Sequence, residues 1–388
     1  MELKNGYKQT EAGIIPEDWK VNQLDLLVDQ NRPVRYGIVQ PGKFDPNGRF
    51  MVRGQDYSFG WVDEINFFRV SQPVEERYKN ARLAAGDIIL TIVGAGVGNI
   101  EIVPKWLDGA NITQTTARIS FQKDKVDPIY CSYYLKCNSG KKQIALNIKG
   151  AAQPGLNIRD IKQFLIPLPP LKEQTAIAIA LSDADAYITS LEKLIEKKRE
   201  IKQGVMQELL KPKDGWASFK LKEISVIKKG QQLNKSTLSQ EGDFPVMNGG
   251  VSPSGFTSQF NQNENTIIIS EGGNSCGFVN FIKTKFWQGG HCYSIETRQH
   301  TEFLYHLLKF KEKEIMSLRV GSGLPNIQLK RLYTFQVSIP EKKLQIELAE
   351  ILNSFDLEIK TLIEKLNKIK DLKQSMMQNL LQGKIRLI

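Results

Sequence analysis

Histidine is scarce in this chain: His291, His300 and His306 are the three present among 388 residues. Acid–base chemistry by imidazole therefore has few candidates. Cysteine is hardly commoner, and Cys131, Cys137, Cys276 and Cys292 lack the paired C-x2-C spacing of a zinc site. They read as buried, reduced thiols. His291 stands beside Cys292, but no second ligand pair lies nearby, so no metal is expected. No apolar run approaches the ~18 residues that span a bilayer, because Gly94, Gly96, Gly98 and Asn99 interrupt the best candidate. Nor does the start read as a signal peptide; the expected location is cytoplasmic. Missing too are a G-x-x-x-x-G-K-[ST] loop for nucleoside triphosphates and the Asn/Asp-Pro-Pro-Tyr/Phe tetrapeptide of amino-methyltransferases. Gly94-Ala95-Gly96-Val97-Gly98 follows a strand, as a dinucleotide loop would. The stretch after it, Asn99 to Val103 and then Pro104, reads as another strand, whereas phosphate binding in that motif needs a helix N-terminus. The triplets Glu196-Lys197-Lys198 and Glu358-Ile359-Lys360 fit a nuclease only superficially, since both fall in long helices as solvated charges. Together these absences favour a non-enzyme.

What is present is length, basic charge and repetition. A chain of 388 residues exceeds the ~100–200 usual for one domain, so two or more cores are expected. The formal charge is +11, distributed as +4 over residues 1–165, 0 over 166–211, +5 over 212–338 and +2 over 339–388. The excess sits mainly in two non-adjacent blocks, which attract polyanions, nucleic acid before anionic membrane. Sliding the sequence by 171 residues aligns Pro169 with Pro340, Gln174 with Gln345, Leu181 with Leu352, Asp185 with Asp356 and Lys202-Gln203 with Lys373-Gln374. Looser matches precede these: Asp18-Trp19 answers Gly215-Trp216, Ile88 to Thr91 answers Ile267 to Ser270, and Asn157-Ile158 answers Asn326-Ile327. The order is block, helix, block, helix. Similar helices suggest one structural task, and divergent blocks suggest two things to be recognised.

From Leu171 to Leu210, the apolar residues Ile177, Leu181, Ala184, Ile188, Leu191 and Ile195 keep heptad spacing. The second copy shows it at Leu348, Leu352, Phe355, Ile359, Leu362, Leu366 and Ile369. Prolines mark each start and none follows. About 40 residues make a rod of about 60 Å, and a single apolar stripe needs a partner. The expected partner is the other copy, through Ile188, Leu191, Ile195, Ile359, Leu362 and Leu366. Antiparallel pairing would relate the blocks by a pseudo-twofold axis, and parallel pairing would place both at one end. The competing interpretation is two ordinary amphipathic helices, each buried in its own domain.

Both blocks read as α+β. Strand-like runs include Asp87 to Val93, Ile100 to Val103, Thr115 to Phe121, Thr266 to Ser270 and Gly277 to Ile282, with helical patterns at Pro128 to Cys137 and Glu302 to Lys313. Loops carry Arg35, Tyr36, Gln40, Lys43, Arg53 and Gln55 in the first block, and Lys228, Lys229, Gln231, Asn248, Gln288 and His291 in the second. Arginine, glutamine and asparagine can bond two base-edge atoms, and lysine neutralises phosphate, so these are the candidate DNA contacts. The turns Gly150-Ala151-Ala152-Gln153-Pro154-Gly155 and Gly321-Ser322-Gly323-Leu324-Pro325 could bring backbone N–H groups near phosphate or merely turn the chain.

The pattern resembles the specificity subunits of type I restriction-modification systems. Tyr7-Lys8-Gln9-Thr10-Glu11-Ala12-Gly13-Ile14-Ile15-Pro16-Glu17-Asp18-Trp19 looks like that family's N-terminal stretch, and Tyr36-Gly37-Ile38-Val39-Gln40-Pro41 like its first-block motif. Ile166-Pro167-Leu168-Pro169-Pro170-Leu171-Lys172-Glu173-Gln174 resembles its helix start, and Leu380-Leu381-Gln382-Gly383-Lys384-Ile385-Arg386 its usual end. The second start departs, reading Ile339-Pro340-Glu341-Lys342-Lys343-Leu344-Gln345. The resemblance implies two target-recognition domains at 1–165 and 212–338, with long spacer helices at 166–211 and 339–388 forming an antiparallel coiled coil. It implies that the chain reads a bipartite double-stranded DNA site and carries no catalysis or cofactor itself. It also implies two methyltransferase subunits bringing S-adenosylmethionine, and a restriction translocase using ATP and magnesium. The alternative is a stand-alone nuclease or methyltransferase with fused recognition domains.

Overall fold

The computed structural model describes residues 5–387 apart from 151, 322 and 324. Four helices organise it: α1 (Pro128–Lys136), α2 (Leu171–Leu209), α3 (Thr301–Phe310) and α4 (Lys342–Leu380). The chain forms two compact units, one of Met1–Ser190 with Leu366–Ile388, the other Leu191–Lys365. Each long helix, read from the sequence as a spacer, is thus shared between the units.

The first unit holds a four-stranded antiparallel sheet built from β1 (Arg35–Tyr36), β2 (Ile88–Thr91), β3 (Ile100–Ile102) and β4 (Thr116–Ile119), in the order β1-β4-β2-β3. Strand β2 is apolar without alternation because both its faces are covered. Ile88 and Leu90 join a core with α1 and the long helices, while Ile89 joins a second core with Val52, Phe67 and Ile112. Beside it, Arg49–Val52 pairs antiparallel with Phe68–Val70 and parallel with Asn111–Ile112. A ribbon of Lys20–Gln23 with Leu165–Leu168 ties the start of the block to the start of α2.

The second unit repeats this plan. Strands β5 (Ser225–Lys229), β6 (Thr266–Ser270), β7 (Val279–Ile282) and β8 (Cys292–Thr297) run in the order β5-β8-β6-β7. Phe244–Met247 pairs antiparallel with Phe256–Thr257 and parallel with Trp287–Gln288, and Ala217–Lys220 pairs with Gln336–Ile339. Superposing the registers equates Thr91 with Ser270, Thr116 with Cys292, Tyr36 with Lys229 and Val52 with Met247. One alignment read from the sequence needs correction. Gly155 bridges Val93 and Lys149 as Asn326 bridges Gly272 and Val320, so Gly155 answers Asn326, and Asn157 answers Gln328. The helix-wide shift of 171 therefore already holds at this turn. The helical pattern at Glu302 to Lys313 also breaks, at Lys311, where Glu312 turns its carboxylate to the Val279 N–H and to Lys309.

The long helices pair antiparallel inside each unit. In the first, Ile177, Ala178 and Leu181 of α2 pack with Met376, Met377 and Leu380 of α4, and Lys373 binds Asp185. In the second, Met206 and Leu210 meet Leu348, Ala349 and Leu352, and Lys202 binds Asp356. These ion pairs are one interaction made twice: each copy's aspartate meets the other copy's lysine, as expected of a self-complementary interface. Of the six candidate seam residues, Leu191, Ile195 and Ile359 are buried, and Ile188, Leu362 and Leu366 are half-buried.

Gln174 and Gln345, also repeated, are buried adapters. Gln174 accepts from the Asp127 N–H at the start of α1 and donates to the Lys125 and Pro169 carbonyls. Gln345 accepts from the His300 N–H at the start of α3 and donates to Gln299 and the Pro340 carbonyl. Each locks a long helix to the short helix of its block, which explains why the residue recurs.

Candidate nucleic-acid interface

In the first block the chain between β1 and Arg49–Val52 curls over the sheet. Its passage depends on Gly37, where a Cβ would lie 1.8 Å from the Ile112 carbonyl oxygen; Gly230, its counterpart, lies as tightly against Gly289, at 2.1 Å. Any side chain there would force the strands apart. Beyond this point Val39, Pro41, Arg53, Gln55, Ser58, Gln114 and Thr115 surround a cleft of about 500 Å3, with Ala95 and Gly96 of the glycine turn at its wall. The turn leads directly into β3, so it presents no helix N-terminus.

Arg53 is aimed by a buried carboxylate. Its guanidinium holds Asp56 at 2.8 Å and also donates to the Asn66 carbonyl at 3.2 Å, while Asp56 is 1% exposed. A planar fork fixed on one side keeps its remaining donors pre-organised for a base edge. Gln55 is exposed at the same cleft; Gln40 and Lys43 are exposed in the adjoining loop. Arg35 and Tyr36 are exposed on β1, with Arg35 lining a different cleft.

In the second block the corresponding place is the turn Gly289 to His291. The His291 N–H donates to Asn248 Oδ1 at 3.3 Å, and its ring Nδ1 lies 4.0 Å from Glu271. Lys229 binds the same Glu271 at 2.7 Å, and Tyr293 donates to it at 2.9 Å. Gln231 is exposed beside them, and Lys228 holds Glu296 at 2.8 Å across the sheet. That last pair is exposed on both sides and is worth at most about 1 kcal/mol, so phosphate can displace it. Beneath the turn, burial pushes the Cys292 thiol up to about 12. It is a core group and no nucleophile.

Gln288 is a correction. It is 0% exposed, donates to the Lys228 and Cys292 carbonyls and accepts from Gln262. Its counterpart is the buried Ile112, so it fills a core position and leaves no donor for DNA. The sequence reading missed Gln114 and Thr115, which the registers equate with Gly290 and His291. The glycine turns before the long helices spend backbone groups internally: Pro154 and Pro325 accept from Gly94 and Gly273, and the Gly155 N–H donates to Lys149. Ala151, Ser322 and Leu324 lie outside the described residues.

The equivalences carry the argument. Arg53 stands where Asn248 does, Tyr36 where Lys229 does, and Thr115 where His291 does. One backbone is thus built twice with different polar groups at its tips. The sequence profile of the type I restriction modification DNA specificity domain matches twice, over residues 49–203 and 213–373. The chain belongs to the type I restriction-modification DNA specificity family. The EcoBI specificity subunit of Escherichia coli is 31% identical over 197 residues, 51% of this chain and 41% of that protein, so this match spans about two fifths of that relative. A putative MjaX specificity subunit of Methanocaldococcus jannaschii is 27% identical over 99% of this chain and 97% of its own length. A crystal structure of the type I restriction-modification S subunit from M. genitalium shares the fold, with a TM-score of 0.68 over 98% of both chains at 20% identity. The specificity-subunit architecture, α+β blocks with paired long helices, is therefore that of this chain. Among the described residues no helix is long and apolar enough to cross a membrane, and no group of three or more His, Cys, Asp or Glu is placed to hold a metal.

Proposed function

We propose that the chain is the DNA-reading subunit of a type I restriction-modification complex, acting in the cytoplasm, with each block reading one half of a bipartite double-stranded site. The observation that carries this is the twice-built scaffold with divergent polar tips: Arg53, Gln55 and Gln114 around one cleft, Lys229, Asn248 and His291 around one turn. A fixed backbone with exchangeable donors is what direct readout requires. Tyr36, Gln40, Lys43, Gln231 and Lys228 are exposed on the adjoining strands and loops, and Arg35 lines a separate cleft; these supply phosphate or base contacts.

The chain performs no chemistry in this reading. Its histidines support that: His306 is buried against Asn353 at 3.0 Å, His300 accepts from the Phe303 N–H at the start of α3, and only His291 is exposed. S-adenosylmethionine belongs to two methyltransferase subunits, and ATP with magnesium to a restriction-translocase subunit, all seated on this chain. The test is duplex binding by the full chain with its methyltransferase partner as a function of salt. Sequence-selective binding with a steep salt slope supports the reading. Methyl transfer or cleavage by the purified chain alone would overturn it.

A further inference from the structure

A second cleft, of about 700 Å3, opens beside β1. Its walls carry Arg32, Arg35, Lys79, Arg82 and Arg118 against one carboxylate, Asp108. Three of these cations are answered from behind the wall: Arg32 by Asp87 at 2.7 Å, Arg82 by Glu75 at 2.6 Å, and Lys79 by Glu76 at 3.1 Å. Asp108 is itself engaged by the Ala85 N–H at 3.0 Å. Arg35 and Arg118 have no ion pair among the described residues. They are directly opposed across β1 and β4, which places both on one face of the sheet.

Arg118 is the unusual member. It is 2% exposed, and its terminal nitrogens donate to the carbonyls of Asn80, Arg82 and Pro33, yet its Nε, itself buried, has no partner. Burial, with Arg32 adding to it, pulls this guanidinium down to about 10. A desolvated cation without a counter-ion is unfavourable, and three carbonyls hold it in the cleft wall. The second block lacks the arrangement: Ser294 replaces Arg118, and Lys228, in the place of Arg35, is neutralised by Glu296.

We propose that this cleft binds a phosphate group on the unpaired Arg35 guanidinium, with the buried Arg118 charge behind it and Arg32, Lys79 and Arg82 supplying the field around it. The proposal rests on the DNA reading only for the source of that phosphate, which is either the backbone of the bound duplex or free phosphate. It makes Arg35 a positioning contact, whereas Arg53 and Gln55 face the bases.

The test uses the full chain and its Arg35→Gln variant, since Arg35 is exposed and its loss spares the fold. An Arg35→Lys variant, which keeps the charge and loses the planar fork, is the second probe. Inorganic phosphate is titrated into the chain calorimetrically at constant ionic strength, and duplex affinity of the chain with its methyltransferase partner is measured from 50 to 200 mM salt. If the source is the backbone, Arg35→Gln flattens the log–log salt slope by about 0.9, so the variant loses roughly three- to fourfold less affinity over that range. If the source is free phosphate, the wild type binds inorganic phosphate, Arg35→Gln binds it at least about tenfold more weakly and Arg35→Lys falls between them, with the salt slope unmoved. Wild-type duplex binding with an identical slope in Arg35→Gln, and no phosphate heat, would refute the site while leaving the DNA reading intact. Absence of duplex binding by the wild type counts against the DNA reading, and the phosphate titration then decides the site alone.

Discussion

Single side chains explain where the repeat is kept and where it is dropped. Glu173 is 0% exposed and accepts from Arg386, which also holds Asp18 at 2.7 Å, while Trp19 Nε1 donates to the same glutamate at 3.3 Å. In the second copy Leu344 takes the glutamate's place and packs into the apolar core. The departure noted in the second helix start is therefore an ion-pair anchor exchanged for an apolar one. Arg386→Ala should cost about 3–5 kcal/mol, because a buried carboxylate is left unpaired. Adding Glu173→Leu should recover much of that loss in urea unfolding. The Arg386 bond holds the Asp18 carboxyl below its ordinary value of 3.8. Its contribution is complete above that value and is lost as pH falls through the lowered folded value, so Arg386→Gln should flatten the stability profile only on the acid side. Gln288→Leu offers a different contrast. It should lower the melting temperature, since two carbonyls and Gln262 lose their partner, and leave the DNA target unchanged. A changed target would return Gln288 to the reading surface.

At the level of elements, the long helices were the most legible part. Heptad spacing, absence of internal proline and the shift of 171 residues located α2 to within one residue at Leu171 to Leu210, whereas the segment 339–388 begins three residues before α4 and runs eight past its end. The sheets were half legible. Strands buried on both faces, such as β2 and β6, announce themselves as apolar runs, whereas two-residue strands like β1 carry no periodicity. The correspondence of Gln114 and Thr115 with Gly290 and His291 was invisible because loop lengths change the offset along the blocks; only the hydrogen-bond register recovers it. Gln288 was misread for a related reason: its type suggests a surface donor, and only the Ile112 register shows a core position. The repeated pair of Lys202 with Asp356 gives a test. Both side chains are partly exposed, so the pair should contribute only about 0.2–1 kcal/mol. Lys202→Asp should lower stability by about 1 kcal/mol through like-charge repulsion, and the swap with Asp356→Lys should restore most of it. Failure of the swap to recover stability would show that this pair does not fix the helix register.

For the whole molecule the central claim is that two blocks of one design read two half-sites independently. Each block keeps its own cores, its own ribbon to a long helix and its own polar tips. Exchange should therefore respect the ribbons. Residues 24–164 can be replaced by the matching block of a relative while Lys20–Gln23 still pairs with Leu165–Leu168. The decisive measurement is genome-wide DNA methylation in cells that carry this chimera with its methyltransferase partner. The account predicts that one half of the bipartite target changes to that of the donor while the other half stays as it was. A chimera that methylates actively with both halves altered, or with neither altered, would contradict it.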